Sequence, residues 1–475
     1  MILLSLFIIT MDHSAPNDTI CALSTPPGIG AIAVIRVSGP DTIRVCNELF
    51  RPADKNLSLE AAVSHTIHFG YFGQGDEIID EVLVSIFKTP HSYTGEDVIE
   101  ISCHGSPFIQ QKILELLTGK GLRMAKPGEF TLRAFLNGKF DLSQAEAVAD
   151  LIASHSRTSH DLALKQMRGG FSRKIKELRD KLIGFTALIE LELDFSEENV
   201  EFASRPELLK LLEELEQELT QLISSFAIGN VIRKGIPVTI AGKPNVGKST
   251  LLNAILKEEK AIVSEFPGTT RDAIEDTIVL EGYSFRFIDT AGLRESGDII
   301  ESMGIERTWQ KIHDSSIILY VFDATIDSSR DVMTDIAEFR ELTEDKSRHM
   351  VLVGNKMDLL EELPHGFRDF VELETIFVSA KRHENIHLLA ESLVKSVRSS
   401  GISDQTVISN ARHLEALNSA LSRVNAVHQG LQTGIYPDLL TTDIRQALHY
   451  LGEITGEITT DEILGNIFSK FCIGK

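Results

Sequence analysis

The order of apolar and polar positions divides the chain into strand-forming and helix-forming stretches. Near the N-terminus, the strings CALSTPP, GAIAVIRVSG and EVLVSIFKTP are apolar or β-branched and end in glycine or proline, which predicts strands. Residues 106–118 have helical spacing. This part of the chain is therefore predicted to form an α+β domain.

Helical spacing dominates both sides of the middle of the chain. It recurs in residues 163–193, 206–226, 410–427 and 441–475. Ser143 and Glu146 have the spacing of a capping box and predict the start of the first helical region, and Pro206 suits the first helical position of the second stretch. Insertion of one domain into another is tolerated where the inserted domain's termini lie close together. We therefore predict an all-α domain built from both flanks of an inserted α/β domain.

The inserted part begins with a glycine-rich turn between a strand and a helix. Residues 238–252 read VTIAGKPNVGKSTLL. Gly242 and Gly247 let backbone N–H groups wrap a polyphosphate, and the positive end of the following helix faces the same anion. Lys248 is expected to reach the β- and γ-phosphates, and the Ser249 hydroxyl to bind Mg²⁺. The pattern predicts a phosphate-binding loop.

Four further motifs indicate that the ligand is a guanine nucleotide. Asp289 follows an apolar strand, where its carboxylate can hold Mg²⁺ through water, and Thr270 can supply a second hydroxyl to the metal. Asp358 can accept two hydrogen bonds from guanine, and a site of this kind rejects an analogue lacking those donors by about 10⁴ or more. The predicted GTP-binding residues are Asn245, Val246, Gly247, Lys248, Ser249, Thr250, Gly268, Thr269, Thr270, Asp289, Thr290, Ala291, Gly292, Asn355, Lys356, Asp358, Ser379, Ala380 and Lys381.

Composition agrees with a multidomain protein of a reducing compartment. A chain of 475 residues suggests about three domains. The four cysteines, Cys21, Cys46, Cys103 and Cys472, form no C-x-x-C pair, so neither a disulfide framework nor a zinc site is predicted.

Charge and the first residues leave alternatives open. The net charge of −22 argues against broad nonspecific binding to nucleic acid. Residues 165–181 nevertheless hold seven basic and two acidic residues, which is typical either of a solvated helix face or of an RNA contact. The opening MILLSLFIIT is too short to span a membrane. We expect translation to start at Met11, with a tail or a targeting piece as alternatives.

The N-terminal third carries charges near apolar strands and glycine turns. Each of Arg36, Glu100, Arg133 and Lys139 is open to a structural or a binding interpretation. His104, beside Cys103, is interpreted as a histidine with a hydrogen-bond partner rather than a metal ligand. The residues alone indicate a small binding domain.

The motifs together resemble one family, the bacterial and organellar tRNA-modification GTPase family MnmE, also called TrmE. The stretches that carry the resemblance are TPPGIGAIAVIRVSGP, HSYTGEDVIEISCHG, KPGEFTLRAFLNGKFDLSQAEAVADLI, GKPNVGKSTLLN, PGTTRD, DTAGLRE and FCIGK. They span nearly the whole chain after Asn17.

The resemblance implies a cytoplasmic homodimer with a Ras-like P-loop GTPase domain inserted into a helical domain. The implied boundaries are 1–16, a tail or mis-assigned start; 17–135, tetrahydrofolate binding and dimerisation; 136–230 and 399–475, the helical domain; and 231–398, the GTPase.

The implied reaction modifies the wobble uridine, U34, of certain tRNAs. With the flavoprotein MnmG, which holds FAD, in a heterotetrameric or larger complex, the family adds a carboxymethylaminomethyl or aminomethyl group to C5. The carbon comes from 5-formyl- or methylene-tetrahydrofolate. Carried onto this sequence, Arg36, Glu100, Lys139 and Lys475 would contact the folate, and Cys472 would have a catalytic role.

GTP hydrolysis requires an unusual arrangement in this sequence. Leu293 stands where Ras-type GTPases place the glutamine that orients water. The resemblance implies K⁺ as the missing cation and Glu301 as the residue that orients water. The implied K⁺ ligands are Asn245, Ser264, Phe266 and Thr269, and the implied GTP contacts include Ser264, Glu265, Phe266 and Pro267. The string SEFP at 264–267 differs from the family's usual TDIA or TDIP.

Two rival functions share the GTPase motifs. One is a ribosome-assembly or translation switch without folate chemistry, and the other is a scaffold whose GTPase domain only times assembly. Folate binding by residues 11–135 distinguishes the first rival from the modifying enzyme.

Overall fold

A computed structural model describes residues 18–194, 205–260, 276–288, 315–342, 349–362, 373–399, 407–433 and 437–474. The chain forms two compact units. The first combines Met1–Ile152, Lys165–Thr220 and Glu415–Lys475, and the second combines Ala153–Leu164 and Gln221–Leu414.

A sheet of seven described strands forms the N-terminal part of the first unit. The strands are β1 (Ile20–Leu23), β2 (Ile32–Ser38), β3 (Phe50–Pro52), β4 (Thr66–Gln74), β5 (Glu77–Phe87), β6 (Val98–His104) and β7 (Arg123–Met124). Their order is β3-β4-β5-β6-β2-β1-β7, and the pairs are antiparallel except for β1 with β7. The three predicted strands are confirmed as parts of β1, β2 and β5.

Two helices pack on one face of this sheet. They are α1 (Thr42–Leu49) and α2 (Pro107–Gly119). Alternate strand residues such as Ile35, Val84 and Ile101 are buried with Cys46 and Ile113 of the helices, because successive side chains of a strand point to opposite faces. The helix predicted over residues 106–118 is confirmed as α2.

The helical part of the first unit begins earlier than the sequence indicated. The described helices in this stretch of the chain are α3 (Glu129–Leu136), α4 (Leu142–Ile152), α5 (Arg157–Met167), α6 (Gly170–Asp194) and α7 (Arg205–Ser224). Most of α5 and the last residues of α7 belong to the second unit. The predicted cap formed by Ser143 and Glu146 is wrong. The Gln144 N–H donates to Asp141 Oδ1 at 2.9 Å, and the Asp141 N–H donates to Gln144 Oε1 at 3.0 Å. These reciprocal bonds form the capping box two residues earlier, since an aspartate caps at least as well as a serine.

The long helical stretch predicted over residues 163–193 is also interrupted. The helices α5 and α6 are separated at Arg168 and Gly169, and Gly169 has a φ of +78°. A left-handed glycine commonly ends a helix, so the chain turns there. The helix α7 begins at Arg205, one residue before the predicted start at Pro206.

The second unit contains a doubly covered sheet of six described strands. They are β8 (Ile236–Ala241), β9 (Asp276–Leu280), β10 (Tyr283–Phe287), β11 (Ile317–Asp323), β12 (His349–Asn355) and β13 (Glu374–Phe377). Their order is β13-β12-β11-β8-β10-β9, and all pairs are parallel except β9 with β10. Every residue of β8 and β11 is buried, which is typical of a parallel sheet with helices on both faces.

The helices of this unit divide between the two faces. They are α8 (Phe226–Lys234), α9 (Lys248–Lys260), α10 (Ser329–Leu342) and α11 (Ile386–Ser399). The apolar residues of α9 and α11 share one core cluster, and Val332 and Ile336 of α10 belong to the cluster on the other face. The predicted fold class, an α/β P-loop domain with α+β and all-α partners, is confirmed.

The C-terminal helices return to the first unit. They are α12 (Ala411–Thr433), α13 (Pro437–Thr455) and α14 (Asp461–Phe468). The helix predicted over residues 410–427 extends to Thr433, and the stretch predicted from 441 onward is two helices. Within the described residues, no helix is both long enough and apolar enough to cross a membrane.

Candidate functional site

The phosphate-binding loop connects β8 to α9 and has an unusual backbone. Three of its residues have positive φ angles: Gly242 at +144°, Asn245 at +62° and Gly247 at +95°. A Cβ atom on Gly242 would lie 2.1 Å from the Val321 carbonyl oxygen. A Cβ on Gly247 would lie 2.3 Å from Asn355 Nδ2. Backbone angle and space therefore both favour glycine at these two positions.

Lys248 lies in the first turn of α9, and its ammonium group folds back over the loop. Its Nζ donates to the carbonyl oxygens of Gly242 and Lys243, both at 2.7 Å. Burial lowers the pKa of the Lys248 ammonium group, because a cation loses hydration there. An anionic ligand in the loop would restore a favourable environment for this charge.

Asn355 joins three of the predicted motifs. Its side chain is only 3% exposed. Its Nδ2 donates to the Val246 carbonyl oxygen at 2.8 Å, and its Oδ1 accepts from the Ala380 N–H at 3.1 Å. The phosphate-binding loop is thereby tied to the two loops that are predicted to recognise the base.

The carboxylate of Asp358 is oriented by the loop that follows β13. Its Oδ1 accepts from Ser379 Oγ at 2.8 Å, and its Oδ2 lies 3.5 Å from Arg382 Nε. The Arg382 N–H in turn donates to Ser379 Oγ at 3.1 Å. These contacts fix the group that is expected to accept hydrogen bonds from guanine.

The predicted GTP-binding residues that the structure describes lie on loops that Asn355 joins through its bonds to Val246 and Ala380. They are Asn245, Val246, Gly247, Lys248, Ser249 and Thr250 on the loop and first turn of α9, and Asn355, Lys356, Asp358, Ser379, Ala380 and Lys381 after β12 and β13. The remaining predicted residues lie outside the described part: Ser264, Glu265, Phe266, Pro267, Gly268, Thr269, Thr270, Asp289, Thr290, Ala291, Gly292, Glu301 and Lys475. Leu293 also lies outside it.

Sequence reasoning missed three aspartates that contact these loops. Asp327 and Asp335 pair with Lys243, and Asp323 pairs with Lys356. One signal was present, because Asp323 ends an apolar strand, and ligands of such sheets bind at the carboxyl ends of the strands.

A second group of predicted residues lies on the sheet of the first unit. Arg36 and Glu100 are directly opposite on β2 and β6. Arg36 Nε and Nη2 donate to Glu100 Oε1 at 3.0 and 2.7 Å. The Arg36 guanidinium also lies 5.1 Å from the ring centroid of Tyr93 and 5.6 Å from that of Phe130. The pair is held by aromatic contacts that the sequence did not indicate.

The C-terminal segment lies against this pair. Arg36 Nη1 donates to the Gly474 carbonyl oxygen at 3.3 Å, and Ser24 Oγ donates to the same atom at 3.2 Å. The Gly128 N–H reaches the Cys472 carbonyl oxygen at 3.4 Å, while the side chain of Cys472 is exposed. Residues 472–474 therefore lie beside two of the predicted folate residues, Arg36 and its partner Glu100.

The other charges of this part have structural contacts. Lys139 Nζ donates to the Pro90 carbonyl oxygen at 2.9 Å, in the loop that carries Tyr93. His104 Nδ1 lies 2.7 Å from Asp80 Oδ1, so the interpretation of His104 as a partnered histidine is confirmed. No metal-binding group of three or more His, Cys, Asp or Glu residues occurs within the described residues.

Arg133 is completely buried and contacts three carboxylates. Its Nη2 lies 2.6 Å from Asp18 Oδ1 and 3.2 Å from Glu129 Oε1, and its Nη1 lies 3.1 Å from Glu96 Oε1. Burial opposes ionisation of Glu129, but hydrogen bonds from Arg123, Lys126 N–H and Arg133 lower its pKa overall. The structural interpretation of Arg133 is thus the one that the contacts favour.

Three of the seven basic residues at 165–181 pair with acidic residues from other helices or loops of the protein. Lys174 and Lys181 both pair with Glu218, at 3.1 and 2.7 Å, and Arg179 pairs with Glu457. These contacts favour a structural role for that part of α6 over an RNA contact.

The loops, sheet and helices of the second unit define a P-loop GTPase. Comparison with known proteins then gives the family. Residues 19–139 match the family model described as GTP-binding protein TrmE N-terminus, and residues 142–472 match the MnmE helical domain. The chain belongs to the tRNA modification GTPase MnmE family.

Full-length relatives agree. The tRNA modification GTPase MnmE of Flavobacterium psychrophilum is 50% identical over 461 residues, covering 97% of this chain and 99% of the relative. That of Cytophaga hutchinsonii is 51% identical over 461 residues, covering 97% and 98%. That of Bacteroides fragilis is 50% identical over 469 residues, covering 97% and 100%.

Proposed function

We propose that this chain is a GTP hydrolase of tRNA modification that works with MnmG to add a carboxymethylaminomethyl or aminomethyl group to C5 of U34. The carbon would come from 5-formyl- or methylene-tetrahydrofolate, and FAD would be held by MnmG. Membership of the family and the geometry of the GTP loops support the hydrolase and the tRNA substrate. The protein would act in the cytoplasm as a homodimer that joins MnmG in a heterotetrameric or larger complex.

One observation carries the folate part of this proposal. The contact of Arg36 with the Gly474 carbonyl oxygen brings the C-terminal segment to the Arg36–Glu100 pair. A cationic guanidinium and a carboxylate suit the glutamate tail and the pterin ring of a folate, since these groups carry a carboxylate and ring N–H donors. Arg36, Glu100, Lys139 and Lys475 would bind the folate, and Cys472 would take part in the chemistry.

We assign these roles to domains as the sequence suggested. Residues 17–135 would bind folate and dimerise, residues 136–230 and 399–475 would form the helical domain, and residues 231–398 would hydrolyse GTP.

The GTPase reaction would use Mg²⁺ and K⁺. Ser249 and Thr270 would bind Mg²⁺, and Asn245, Ser264, Phe266 and Thr269 would bind K⁺. Asn245 is exposed on the loop at a φ of +62°, so its amide oxygen is accessible to a cation. A bound K⁺ supplies fixed positive charge where negative charge develops. Glu301 would orient the attacking water.

The test is the nucleoside composition of tRNA from cells that lack this chain and are complemented with variants. Arg36→Ala should abolish the U34 modification and tetrahydrofolate binding by the purified protein, while GTP hydrolysis remains. Arg44→Ala is the matched control, because Arg44 is an exposed arginine of the same sheet domain. Normal U34 modification with Arg36→Ala, despite lost folate binding, would support a GTPase switch without folate chemistry.

A further inference from the structure

Lysines from two nucleotide-binding loops reach one acidic region at the end of β11. Lys243, in the phosphate-binding loop, lies 2.8 Å from Asp335 Oδ2 and 3.7 Å from Asp327 Oδ1. Lys356, in the guanine-binding loop, lies 2.5 Å from Asp323 Oδ2. Under the proposed function, on which this inference rests, the two loops hold opposite ends of the nucleotide, so a common support would fix the distance between them.

The acidic residues are themselves held by hydrogen bonds. Asp323 is buried, and its Oδ1 accepts from the N–H and the hydroxyl of Thr325 at 3.0 and 2.6 Å. Asp327 Oδ2 accepts from the Asp323 N–H at 2.8 Å, and Asp335 Oδ2 accepts from the hydroxyl of the buried Tyr320 at 2.8 Å. The carboxylates are therefore fixed before either lysine binds them.

The Lys243 contact acts on the loop backbone. The carbonyl oxygen of Lys243 is one of the two acceptors that hold Lys248 Nζ. The loop beside it contains left-handed residues at Gly242, Asn245 and Gly247, a backbone that persists only where its surroundings hold it. Hydrogen bonding to Asp335, with the nearby charges of Asp327 and Asp331, raises the pKa of Lys243, which agrees with a stable ion pair.

Lys356, like Lys243, is a loop lysine that pairs with a fixed carboxylate beside left-handed backbone. Lys356 has a φ of +67° and lies between Asn355 and the loop that carries Asp358. Burial opposes ionisation of Asp323, but hydrogen bonds from Lys356 and Thr325 lower its pKa overall. The charge of Asp323 is thus retained where it can hold Lys356.

We propose that Asp323, Asp327 and Asp335 form a shared support, the β11 brace, which positions the phosphate-binding loop through Lys243 and the guanine-binding loop through Lys356. Lys243 is a positioning residue of the GTPase reaction, acting on the carbonyl that holds Lys248. The brace pre-forms the nucleotide site, and its loss would weaken binding more than the chemical step.

The first test measures release of a fluorescent GDP analogue from the full chain. Lys243→Met keeps the length of the side chain and removes its charge. Because Lys243 is 46% exposed, we expect a moderate effect, about 3- to 10-fold faster release. KM for GTP should rise by a similar factor while kcat changes less than about twofold, since the loss falls on binding shared by ground and transition states.

Two variants make this result specific. Lys243→Arg keeps the charge and should return release to within about twofold of the parent. Lys257→Met removes an exposed lysine of α9 and should leave release unchanged. Release unchanged in Lys243→Met, or equally fast in Lys243→Arg, would overturn the positioning role.

Double-mutant cycles test whether the support is shared. Lys243→Met combined with Asp335→Asn should release GDP no faster than the stronger single variant, because both substitutions remove the same contact, the Lys243–Asp335 pair. Lys243→Met combined with Asp323→Asn should also be non-additive, since Lys243 contacts Asp327, which accepts from the Asp323 N–H, and Lys356 contacts Asp323. Strictly additive effects in the second cycle would show two separate anchors and reject the brace. Should Asp323→Asn not fold, Thr325→Val replaces it, because it removes one hydrogen bond to Asp323.

Discussion

Replacement of the buried Arg133 by methionine tests the charge cluster that joins the start of β1, α3 and the loop around Glu96. The substitution preserves apolar volume and leaves the carboxylates of Asp18, Glu96 and Glu129 without this partner. Breaking a buried ion pair by removing one member typically costs about 3–5 kcal/mol. Arg123 still contacts Asp18 and Glu129, and Ser38 still contacts Glu96. We therefore expect Arg133→Met to lower the free energy of unfolding by about 3 kcal/mol, the low end of this range.

The pH dependence of this loss follows from the sign of the pKa shift. The folded-state pKa of Glu129 lies below its ordinary value of 4.5. Its contribution to stability is therefore present above that value and is lost as the pH falls through the folded pKa. Arg133→Met removes part of this contribution, and protonation relieves the unpaired carboxylates. The stability difference between parent and variant should be largest near neutral pH and should shrink below about pH 4.5.

Amide hydrogen exchange is the suitable assay, because a chain of two units does not unfold in one step. Peptides covering Ile20–Leu23 and Glu129–Leu136 should lose protection in Arg133→Met, while peptides of β11 should not. Arg44→Met, an exposed arginine, is the control and should change neither. A loss of stability below about 1 kcal/mol in Arg133→Met, or a loss that does not change with pH, would refute the reasoning.

Three predictions concern the GTPase site. Hydrolysis should be faster in K⁺ than in Na⁺, and Asn245→Ala should abolish that difference; equal parent rates in both salts would contradict a K⁺ site. Glu301→Ala, at a position outside the described residues, should lower turnover with little change in nucleotide affinity, and lost binding would indicate a structural role instead. Gly247→Ala should prevent nucleotide binding, because its Cβ would lie 2.3 Å from Asn355 Nδ2; calorimetric titration with GDP measures this, and Gly119→Ala, where the added atom meets nothing within 4 Å, is the control.

The sequence alone determined the features that depend on short segments. Glycine spacing and the adjacent strand and helix patterns predicted the phosphate-binding loop, because left-handed backbone at Gly242 and Gly247 restricts the residue types allowed there. Helical periodicity likewise predicted most helices, although Asp141 rather than Ser143 caps α4. Aspartate and serine both cap helices well, so the sequence does not show which of Asp141 and Ser143 is the N-cap until the backbone before the helix is known.

Tertiary structure decided the contacts between distant residues. Arg36 meets the Gly474 carbonyl oxygen across 438 positions of sequence. Glu218 and Glu457 pair with three basic residues of α6, for which the sequence left a solvated helix face and an RNA contact as alternatives. Lys243 gains its carboxylate partners only when β8 and β11 lie side by side. The energy of a charge depends on which groups the fold brings within a few ångströms, and no local pattern contains that information.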